Sequence, residues 1–440
     1  MENTLAKSFA AIVRAGDLSI RYPSGTVQRL GDGTGPAVAV AFRDAATVRA
    51  VARDPALALG EAYMDGGLAV ETGTLWDFID ILARGGVRRG WTATAVGISL
   101  WRSARDVLRQ RAGLALAQRN IAHHYDLNEA LFRLFLDADM NYSCAYFETP
   151  DLTLEEAQRA KQRHIAAKLL AQPGARVLDI GSGWGGMGLY LAKVAGLDVT
   201  GVTLSVEQQR VATARAKTAG VSARCGFHLR DYRAVTGRFD HITSIGMLEH
   251  VGRPQLRRYF SAVARLLDKQ GTALIHSMAQ PRQQPHAQPF GDKYIFPGGY
   301  IPSLAEILPA VEKAGLLVKD IEILPLHYAE TCRIWRQRFL ANRARVLALY
   351  DARFLRMWEM YLVGATGSTW CICNWPSTKI ASHSAATGIR RSGQGFCRLR
   401  PIGRSQPISL EPPPQALGFK KAPLLISKRH RRSAPFRLLP

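Results

Sequence analysis

The chain has 440 residues, which allows two or three domains with sizeable hydrophobic cores. No apolar run approaches the roughly 20 residues of a membrane-spanning helix, and the first residues carry no secretory signal, so the sequence predicts a cytoplasmic protein, soluble or peripheral to a membrane. Six cysteines without regular spacing suit a reducing compartment and predict neither a disulfide framework nor a metal site.

The chain is strongly basic, with a formal net charge of +23. Residues 366–440 hold 13 lysines and arginines against a single acid, so this segment supplies about half of the charge. A basic surface suits nucleic acid or an anionic membrane. Because no helix-turn-helix, zinc-finger or aromatic RNA-binding pattern accompanies the charge, the sequence predicts no nucleic-acid partner and favours the inner face of a membrane.

Residues 1–85 are predicted to form a small α+β unit. Residues 18–25 alternate and then turn as a β-hairpin does, residues 37–42 form a partner strand, and residues 45–51 and 76–82 are helical. Residues 86–120 are Arg-rich with interleaved apolar side chains. This pattern predicts a linker helix whose cationic face lies on anionic headgroups, and a solvated helix packed between domains is the alternative.

Two segments then lead to the centre of the chain. Residues 121–147 are rich in aromatic side chains, and Cys144 among them is expected, taken alone, to be a small buried hydrophobe. Residues 155–170 have a helical pattern, and we expect this helix to point its charged side chains outward, Glu155 and Lys161 among them.

The stretch RVLDIGSGWGGMGLYL, residues 176–191, predicts a buried strand, a glycine turn and a helix. Together these make the nucleotide-binding edge of a doubly wound sheet, where glycines let a ligand approach the backbone. The turn reads Gly-x-Gly-x-Gly-Gly, and no acid directly closes the second strand, residues 198–202. A nicotinamide cofactor is therefore disfavoured.

The chain continues as strand–helix units. Strands are predicted at 224–229, 239–245, 272–277 and 318–324, with helices at 208–219, 254–267 and 303–314 and a long helical region from 327 to about 363. This alternation predicts an α/β fold with a mainly parallel sheet, whose ligands bind at the carboxyl ends of the strands. Glu249 and His276 fall at such ends and are candidate site residues on position alone.

Several of these segments carry a family resemblance. The motifs VLDIGSGWGG, GVTLSVEQQ, RDYR and IGMLEHVG resemble an S-adenosylmethionine methyltransferase and, more narrowly, the cyclopropane-fatty-acyl-phospholipid synthase family. The resemblance covers about residues 10–365. LGEAYMDG, residues 59–66, matches the N-terminal domain of the same family, which is similar to small sterol-carrier-like lipid-binding modules.

The resemblance implies a domain organisation. A lipid-binding-like α+β domain takes residues 1–85, the basic linker helix residues 86–120, and a Rossmann-like class I methyltransferase domain residues 121–365. The implied activity is transfer of a methylene group from S-adenosylmethionine to the cis double bond of unsaturated phospholipid acyl chains at the membrane surface. The resemblance also suggests a homodimer. A methyl-branched lipid product, methylation of a small amine, and an impaired lipid-binding protein are the alternatives.

The resemblance also assigns site residues. It implies a bound bicarbonate as the base, with Glu249 and His276 holding it, the Tyr328 hydroxyl donating to it, and Cys144 and Met278 offering backbone groups. A bound base avoids placing a nucleophilic side chain beside a carbocation. The residues that the resemblance implies for S-adenosylmethionine are Tyr142, Ser143, Asp179, Gly181, Gly183, Gly185, Gly186, Thr203, Leu204, Gln208, Asp231 and Tyr232.

Two further expectations concern the surroundings of the reaction. Aromatic faces tolerate a carbocation without trapping it, a role we assign to Tyr142, Tyr146, Phe147, Tyr294 and Tyr328. Some family members carry a cysteine in the late helix, but Ala365 occupies the equivalent position here, which argues against a covalent cysteine mechanism.

From residue 366 the sequence changes character. The segment has no sustained period and is rich in Pro, Ser and Arg. It matches neither the aromatic-plus-arginine segment nor the last strand with which methyltransferases of this family finish. Residues 366–440 are therefore predicted to be an atypical basic tail, either disordered or the product of a reading-frame change after about Ala365.

Overall fold

The computed structural model describes residues 1–84, 98, 101–102, 127–284, 286–373 and 425–428. These residues form two sheets, one of four strands and one of seven. No helix in the described part of the chain has both the length and the apolar character that crossing a bilayer requires.

The four-stranded sheet belongs to the N-terminal unit and has the order β2-β1-β3-β4. β1 and β2 form the predicted antiparallel hairpin, and β3 pairs in parallel with β1, so both predictions are confirmed. Strand alternation buries Leu18, Ile20, Val38 and Val40 against the helices. The elements are α1 (Glu2–Ile12), β1 (Asp17–Arg21), β2 (Val27–Gly31), β3 (Ala37–Phe42), α2 (Ala45–Arg53), α3 (Pro55–Met64), β4 (Leu68–Thr72) and α4 (Leu75–Arg84).

The hydrophobic core of the N-terminal unit extends into the rest of the chain. Phe290, Met360 and Val363 are buried in the same apolar cluster as the side chains of the four-stranded sheet. The polar contacts across this junction include the hydrogen bond from Tyr63 Oη to Glu359 Oε2, 2.8 Å long. The N-terminal unit therefore shares its hydrophobic core with the rest of the chain, and the domain boundary at residue 85 stays a prediction.

The predicted linker helix at 86–120 lies outside the described residues, apart from Ile98, Trp101 and Arg102. Arg102 is buried and forms an ion pair with Asp54, which precedes α3. The start of the aromatic segment, residues 121–126, also lies outside the described part.

The seven-stranded sheet has the order β10-β11-β9-β8-β5-β6-β7. β5 pairs in parallel with β6 and β8, and the parallel pairing continues to β7 and β9, which confirms the predicted α/β fold with a mainly parallel sheet. The strands are β5 (Arg176–Ile180), β6 (Asp198–Thr203), β7 (Cys225–Leu229), β8 (Phe239–Ile245), β9 (Leu267–His276), β10 (Leu316–Asp320) and β11 (Leu425–Lys428).

Helices pack on both faces of this sheet. They are α5 (Glu129–Phe132), α6 (Leu154–Leu169), α7 (Gly186–Lys193), α8 (Val206–Thr218), α9 (Leu256–Leu266), α10 (Leu304–Lys313), α11 (Pro325–Ala341), α12 (Arg343–Leu349) and α13 (Ala352–Cys373). The long helical region predicted from residue 327 is thus three helices, with breaks at Asn342 and at residues 350–351.

The described residues of the tail correct one expectation. β11 lies between β9 and β10 and pairs antiparallel with both, so residues 425–428 do supply a strand of the sheet. A four-residue strand between two partners is specified by backbone hydrogen bonds, and it is too short for a sequence pattern to reveal. The disordered and frame-change explanations of the tail stay predictions.

Candidate active site

A cleft opens at the carboxyl ends of β5, β6 and β8, the edge where a parallel sheet binds its ligands. It encloses about 940 Å³ of space that no atom fills, the open mouth included. Ten of the twelve residues predicted for the cofactor line it: Tyr142, Ser143, Asp179, Gly181, Gly183, Gly186, Thr203, Leu204, Gln208 and Tyr232.

The other two predicted cofactor residues, Gly185 and Asp231, do not line the cleft. A side chain at Gly185 would meet Ala212 and Phe227, so this glycine serves the packing of α7 against its neighbours. The Asp231 carboxylate accepts hydrogen bonds from the backbone N–H and the guanidinium of Arg233. A sequence pattern places both residues in the right loops but does not show which way they point.

The glycine turn leaves the backbone open to the cleft. Gly181, Gly183 and Gly185 have φ of +77°, +54° and +84°, the left-handed region that favours glycine. Among the described atoms, none lies within 4 Å of the position that a Gly183 side chain would occupy. α7 then begins with Gly185 as its N-cap and without a side-chain cap, so the N–H groups of its first turn are available to an anionic group.

Asp179 lies on β5 at the floor of the cleft. Its Oδ1 accepts a hydrogen bond of 3.0 Å from Thr243 Oγ1, while its Oδ2 has no hydrogen-bond partner in the described part of the chain. Burial raises the pKa of this carboxyl to about 6. A buried carboxylate oxygen without a partner at the edge of a cleft suits a cationic ligand group.

The end of β6 is held by its own polar network. Thr203 Oγ1 donates to Gln208 Oε1 at 2.9 Å and accepts from the Ser205 N–H at 3.2 Å. Ser205 in turn caps α8 by accepting from the Gln208 N–H. These bonds fix Thr203 and Gln208 at the cleft wall.

Lys161 lies in the cleft, so the prediction that its side chain points outward is wrong. Its side chain lines the cleft and is 4% exposed, whereas Glu155 on the same helix points outward and pairs with Arg338. Lys161 Nζ donates a hydrogen bond of 2.8 Å to Ser143 Oγ. The reason lies in other elements, because Asp137, Asp139 and Asp179 supply the negative charge that makes an inward ammonium tolerable.

Three predicted catalytic residues lie near the cleft, because the His276 carbonyl accepts a hydrogen bond from the N–H of Gly246, which lines it, and Met278 bonds to Glu249. Glu249 lies in the 3₁₀ turn after β8, and its Oε1 accepts from the Met278 N–H at 2.6 Å. His276 ends β9, two residues before Met278. Within the described residues, Glu249 Oε2 and His276 Nδ1 are buried without hydrogen-bond partners. The Met278 N–H is already bonded, so Met278 positions Glu249 rather than offering that N–H to a ligand.

Burial shifts the acid–base properties of this group. It raises the pKa of the Glu249 carboxyl. It also lowers the pKa of His276 to about 4, with a further lowering by the Lys161 cation. His276 is therefore neutral near pH 7 and has one ring nitrogen that can accept a hydrogen bond.

Cys144 and Tyr328 form the second part of the predicted catalytic set. Cys144 Sγ donates to the Ala145 carbonyl at 3.2 Å, and burial raises the pKa of the thiol to about 12. The segment is tied to α11 by the 3.0 Å hydrogen bond from the Ala145 N–H to Thr331 Oγ1. Burial raises the pKa of the Tyr328 hydroxyl well above its usual value, so both groups stay protonated.

The aromatic residues differ most from expectation. Tyr142 lines the cleft, and its hydroxyl lies 2.8 Å from that of Tyr361. Tyr146 is stacked between His164 and His327, and Phe147 also lies beside His327. The Tyr294 hydroxyl donates to Glu61 of the N-terminal unit at 2.7 Å.

The aromatic wall around Tyr142 comes instead from residues that the sequence analysis missed. Their rings pack within about 5 to 6 Å of Tyr142 or of one another, and the i,i+3 spacing of Trp358 and Tyr361 on α13 was the available signal. They are Phe132, Trp335, Trp358 and Tyr361. Ala365 packs one turn further along α13, against the same apolar cluster.

Comparison with known proteins shows the family to which the chain belongs. Residues 114–369 match the family model "Mycolic acid cyclopropane synthetase", and residues 3–85 match a domain of unknown function, DUF7884. The cyclopropane-fatty-acyl-phospholipid synthase of Escherichia coli is 36% identical over 324 residues, which are 72% of this chain and 81% of that protein.

Two further relatives match a smaller share of the chain. A probable fatty acid methyltransferase of Pseudomonas putida is 38% identical over 251 residues, 56% of this chain, and the match spans only 64% of that protein's length. The crystal structure of mycolic acid cyclopropane synthase CmaA1 complexed with SAH and CTAB is 31% identical, with a TM-score of 0.55 over 58% of this chain and 94% of that one. The chain therefore belongs to the mycolic acid cyclopropane synthetase family.

Proposed function

We propose that the protein transfers a methylene group from S-adenosylmethionine to the cis double bond of unsaturated phospholipid acyl chains, forming cyclopropane fatty acids. The observation that carries the proposal is the adjacency of two sites. One is the glycine-lined cleft with Asp179 Oδ2, which lacks a hydrogen-bond partner among the described residues, and the other is the buried group of Glu249 and His276. A methyl donor and a base are the two requirements of the reaction.

The cleft residues fit S-adenosylmethionine. Asp179 Oδ2 would accept from its ammonium group, and the uncapped N–H groups at the start of α7 would bind its carboxylate. Thr203, Leu204 and Gln208 would lie along the ribose, and Tyr232 beside the adenine. When bound, the sulfonium supplies an electrophilic methyl group, and these contacts lower the entropic barrier by orienting it toward the alkene.

The second site fits a small anion such as bicarbonate. Glu249 Oε2 and neutral His276 Nδ1 offer two hydrogen-bonding atoms. The family resemblance adds the Tyr328 hydroxyl, whose raised pKa keeps it protonated at neutral pH. The Cys144 thiol is protonated as well, so it is not a nucleophile that a carbocation would alkylate. The proposed base would take the proton that the new methyl group loses as the cyclopropane closes.

The aromatic wall supports the carbocation step. Tyr142 lines the cleft, with the Trp335 ring packed against it and the Tyr361 hydroxyl bonded to its own, and aromatic faces stabilise a cation without bonding to it. The Tyr294 ring is less suited to this role, because Lys293 Nζ and Arg353 Cζ already lie over it, 5.0 and 5.7 Å from its centroid.

A phospholipid substrate at a membrane surface is the finer part of the proposal. It is supported by the basic composition and by the N-terminal unit, which shares its core with α13. The homodimer stays part of the proposal. A methyl-branched fatty acid is the second candidate product, since one relative is named a probable fatty acid methyltransferase.

The test is to incubate the full chain with methyl-labelled S-adenosylmethionine and vesicles of unsaturated phospholipid, then to analyse the acyl chains by mass spectrometry. A gain of one CH₂ that resists hydrogenation supports cyclopropanation. A gain of CH₂ on a chain that hydrogenation still reduces indicates the branched product. Lipid binding without label transfer supports the impaired lipid-binding protein.

A matched pair of variants tests the role of the second site. Glu249→Gln should lower label transfer about 100-fold or more while cofactor affinity changes little, because Glu249 is proposed to hold the base. Glu71→Gln makes the same chemical change on the exposed surface of the N-terminal unit and should leave transfer unchanged. Bicarbonate-depleted buffer should reduce transfer, and added bicarbonate should restore it. Unchanged transfer by Glu249→Gln contradicts the proposed base site.

A further inference from the structure

Lys161 is a buried cation to which the proposed reaction assigns no role. Lysine is rarely buried unless it is paired, because removing an ammonium from water is costly. Here the side chain lines the cleft and is 4% exposed. Its position therefore calls for an anionic partner.

The described residues satisfy only part of this ammonium. It carries three N–H donors, and its hydrogen bond in the described part of the chain goes to Ser143 Oγ, a neutral acceptor. Asp137, Asp139 and Asp179 attract it electrostatically, yet none forms an ion pair with it within these residues. The Asp137 carboxylate is occupied by Asn141, from which it accepts two hydrogen bonds.

Lys161 lies close to both proposed ligand sites. Its side chain lines the cofactor cleft together with Asp179. The residue to which it donates, Ser143, directly precedes Cys144 of the proposed base site, and its charge also acts on His276. Both sites would hold an anion of the same chemistry, the amino-acid carboxylate of S-adenosylmethionine in one and bicarbonate in the other.

We propose that Lys161 is the cationic ligand of a carboxylate-type anion bound in this cleft. The proposal rests on the proposed function, which supplies the two anions. A charge-assisted hydrogen bond from the buried ammonium is worth more than a neutral one, so its loss should weaken binding of the anion about 10- to 100-fold. Burial also lowers the pKa of Lys161 to about 8, which leaves it mainly protonated at pH 7.

The experiment compares two ligands by isothermal titration calorimetry on the full chain. S-adenosylhomocysteine carries the amino-acid carboxylate, and 5′-methylthioadenosine lacks it. In Lys161→Met, weaker binding of S-adenosylhomocysteine with unchanged binding of methylthioadenosine assigns Lys161 to the cofactor carboxylate. Unchanged binding of both, with an at least tenfold rise in the bicarbonate concentration for half-maximal transfer, assigns it to bicarbonate. Arg159→Met, on the exposed side of the same helix, is the control and should change neither.

Three results separate the failures. If Lys161→Met changes neither affinity nor the bicarbonate requirement, the inference is wrong. If it weakens both nucleosides equally, Lys161 acts through general packing and the inference is again wrong. If the unaltered chain binds neither nucleoside, the proposed function fails instead. If Lys161→Met does not fold, the same measurements are made on Lys161→Gln, which keeps a hydrogen-bond donor for Ser143, and the same outcomes apply.

Discussion

The contact between Gly60 and Phe290 joins the N-terminal unit to the rest of the protein, and we expect one added methyl group to weaken it. Gly60 lies inside α3, and a Cβ built there would lie 2.5 Å from Cδ2 and 2.8 Å from Cε2 of Phe290. The Phe290 ring is 5% exposed and packs against Tyr294 at 5.1 Å between centroids. The ring is therefore confined.

Two opposing effects set the magnitude of Gly60→Ala. Replacing a glycine by alanine inside a helix normally stabilises it by about 1 kcal/mol. Carbon atoms pack at about 3.5 to 4.0 Å, so the ring must move by about 1 Å, and overpacking a core costs roughly 1–3 kcal/mol. We expect a net loss of about 1 kcal/mol in the free energy of unfolding.

Gly364→Ala is the matched control. Gly364 lies on the exposed side of α13, and among the described atoms none comes within 4 Å of its built Cβ. Only the helix-propensity gain applies there, so the two variants should differ by about 2 kcal/mol in urea unfolding followed by circular dichroism. In the Gly60→Ala background, Phe290→Leu should cost less than it does alone. Equal stabilisation by both alanines would refute the steric reasoning.

Three more predictions concern the core, the pH dependence and the glycine turn. Glu359→Ala leaves the largely buried Arg336 unpaired and should lower the free energy of urea unfolding by about 3 kcal/mol, and an unchanged midpoint contradicts this. The pKa of His276 is lowered from 6.5 to about 4 in the folded protein, so between these pH values the unfolded chain binds a proton that the folded chain does not. The contribution of His276 to the free energy of unfolding should therefore be complete above pH 6.5 and fall by roughly 3 kcal/mol as the pH drops toward 4. His276→Gln should remove this decrease when urea unfolding is measured at several pH values. Gly185→Ala combines a φ of +84° with contacts at 2.9 Å and should lower the free energy of urea unfolding by about 2 kcal/mol or more. The Cβ of Gly183→Ala meets no described atom, so this variant should lose only about 1 kcal/mol through backbone strain.

The sequence was sufficient for the parts of the protein that local patterns encode. Alternating strands and helices predicted the mainly parallel sheet, and the glycine turn after residue 180 located the cleft at its edge. Glu249 and His276 were predicted as candidates from their positions at the carboxyl ends of strands, because all parallel strands end at the same edge. These inferences use neighbours in the chain, which a sequence displays directly.

The direction of individual side chains was decided only by the tertiary structure. Lys161 faces inward because Asp137 and Asp179, from other segments, supply the charge that offsets its burial. The Tyr294 hydroxyl points to the N-terminal unit because Glu61 of that unit accepts a hydrogen bond from it. β11 is a strand because β9 and β10 offer it backbone partners on both sides. Each outcome depends on the energy of a contact between residues distant in the chain, and local periodicity carries no information about such contacts.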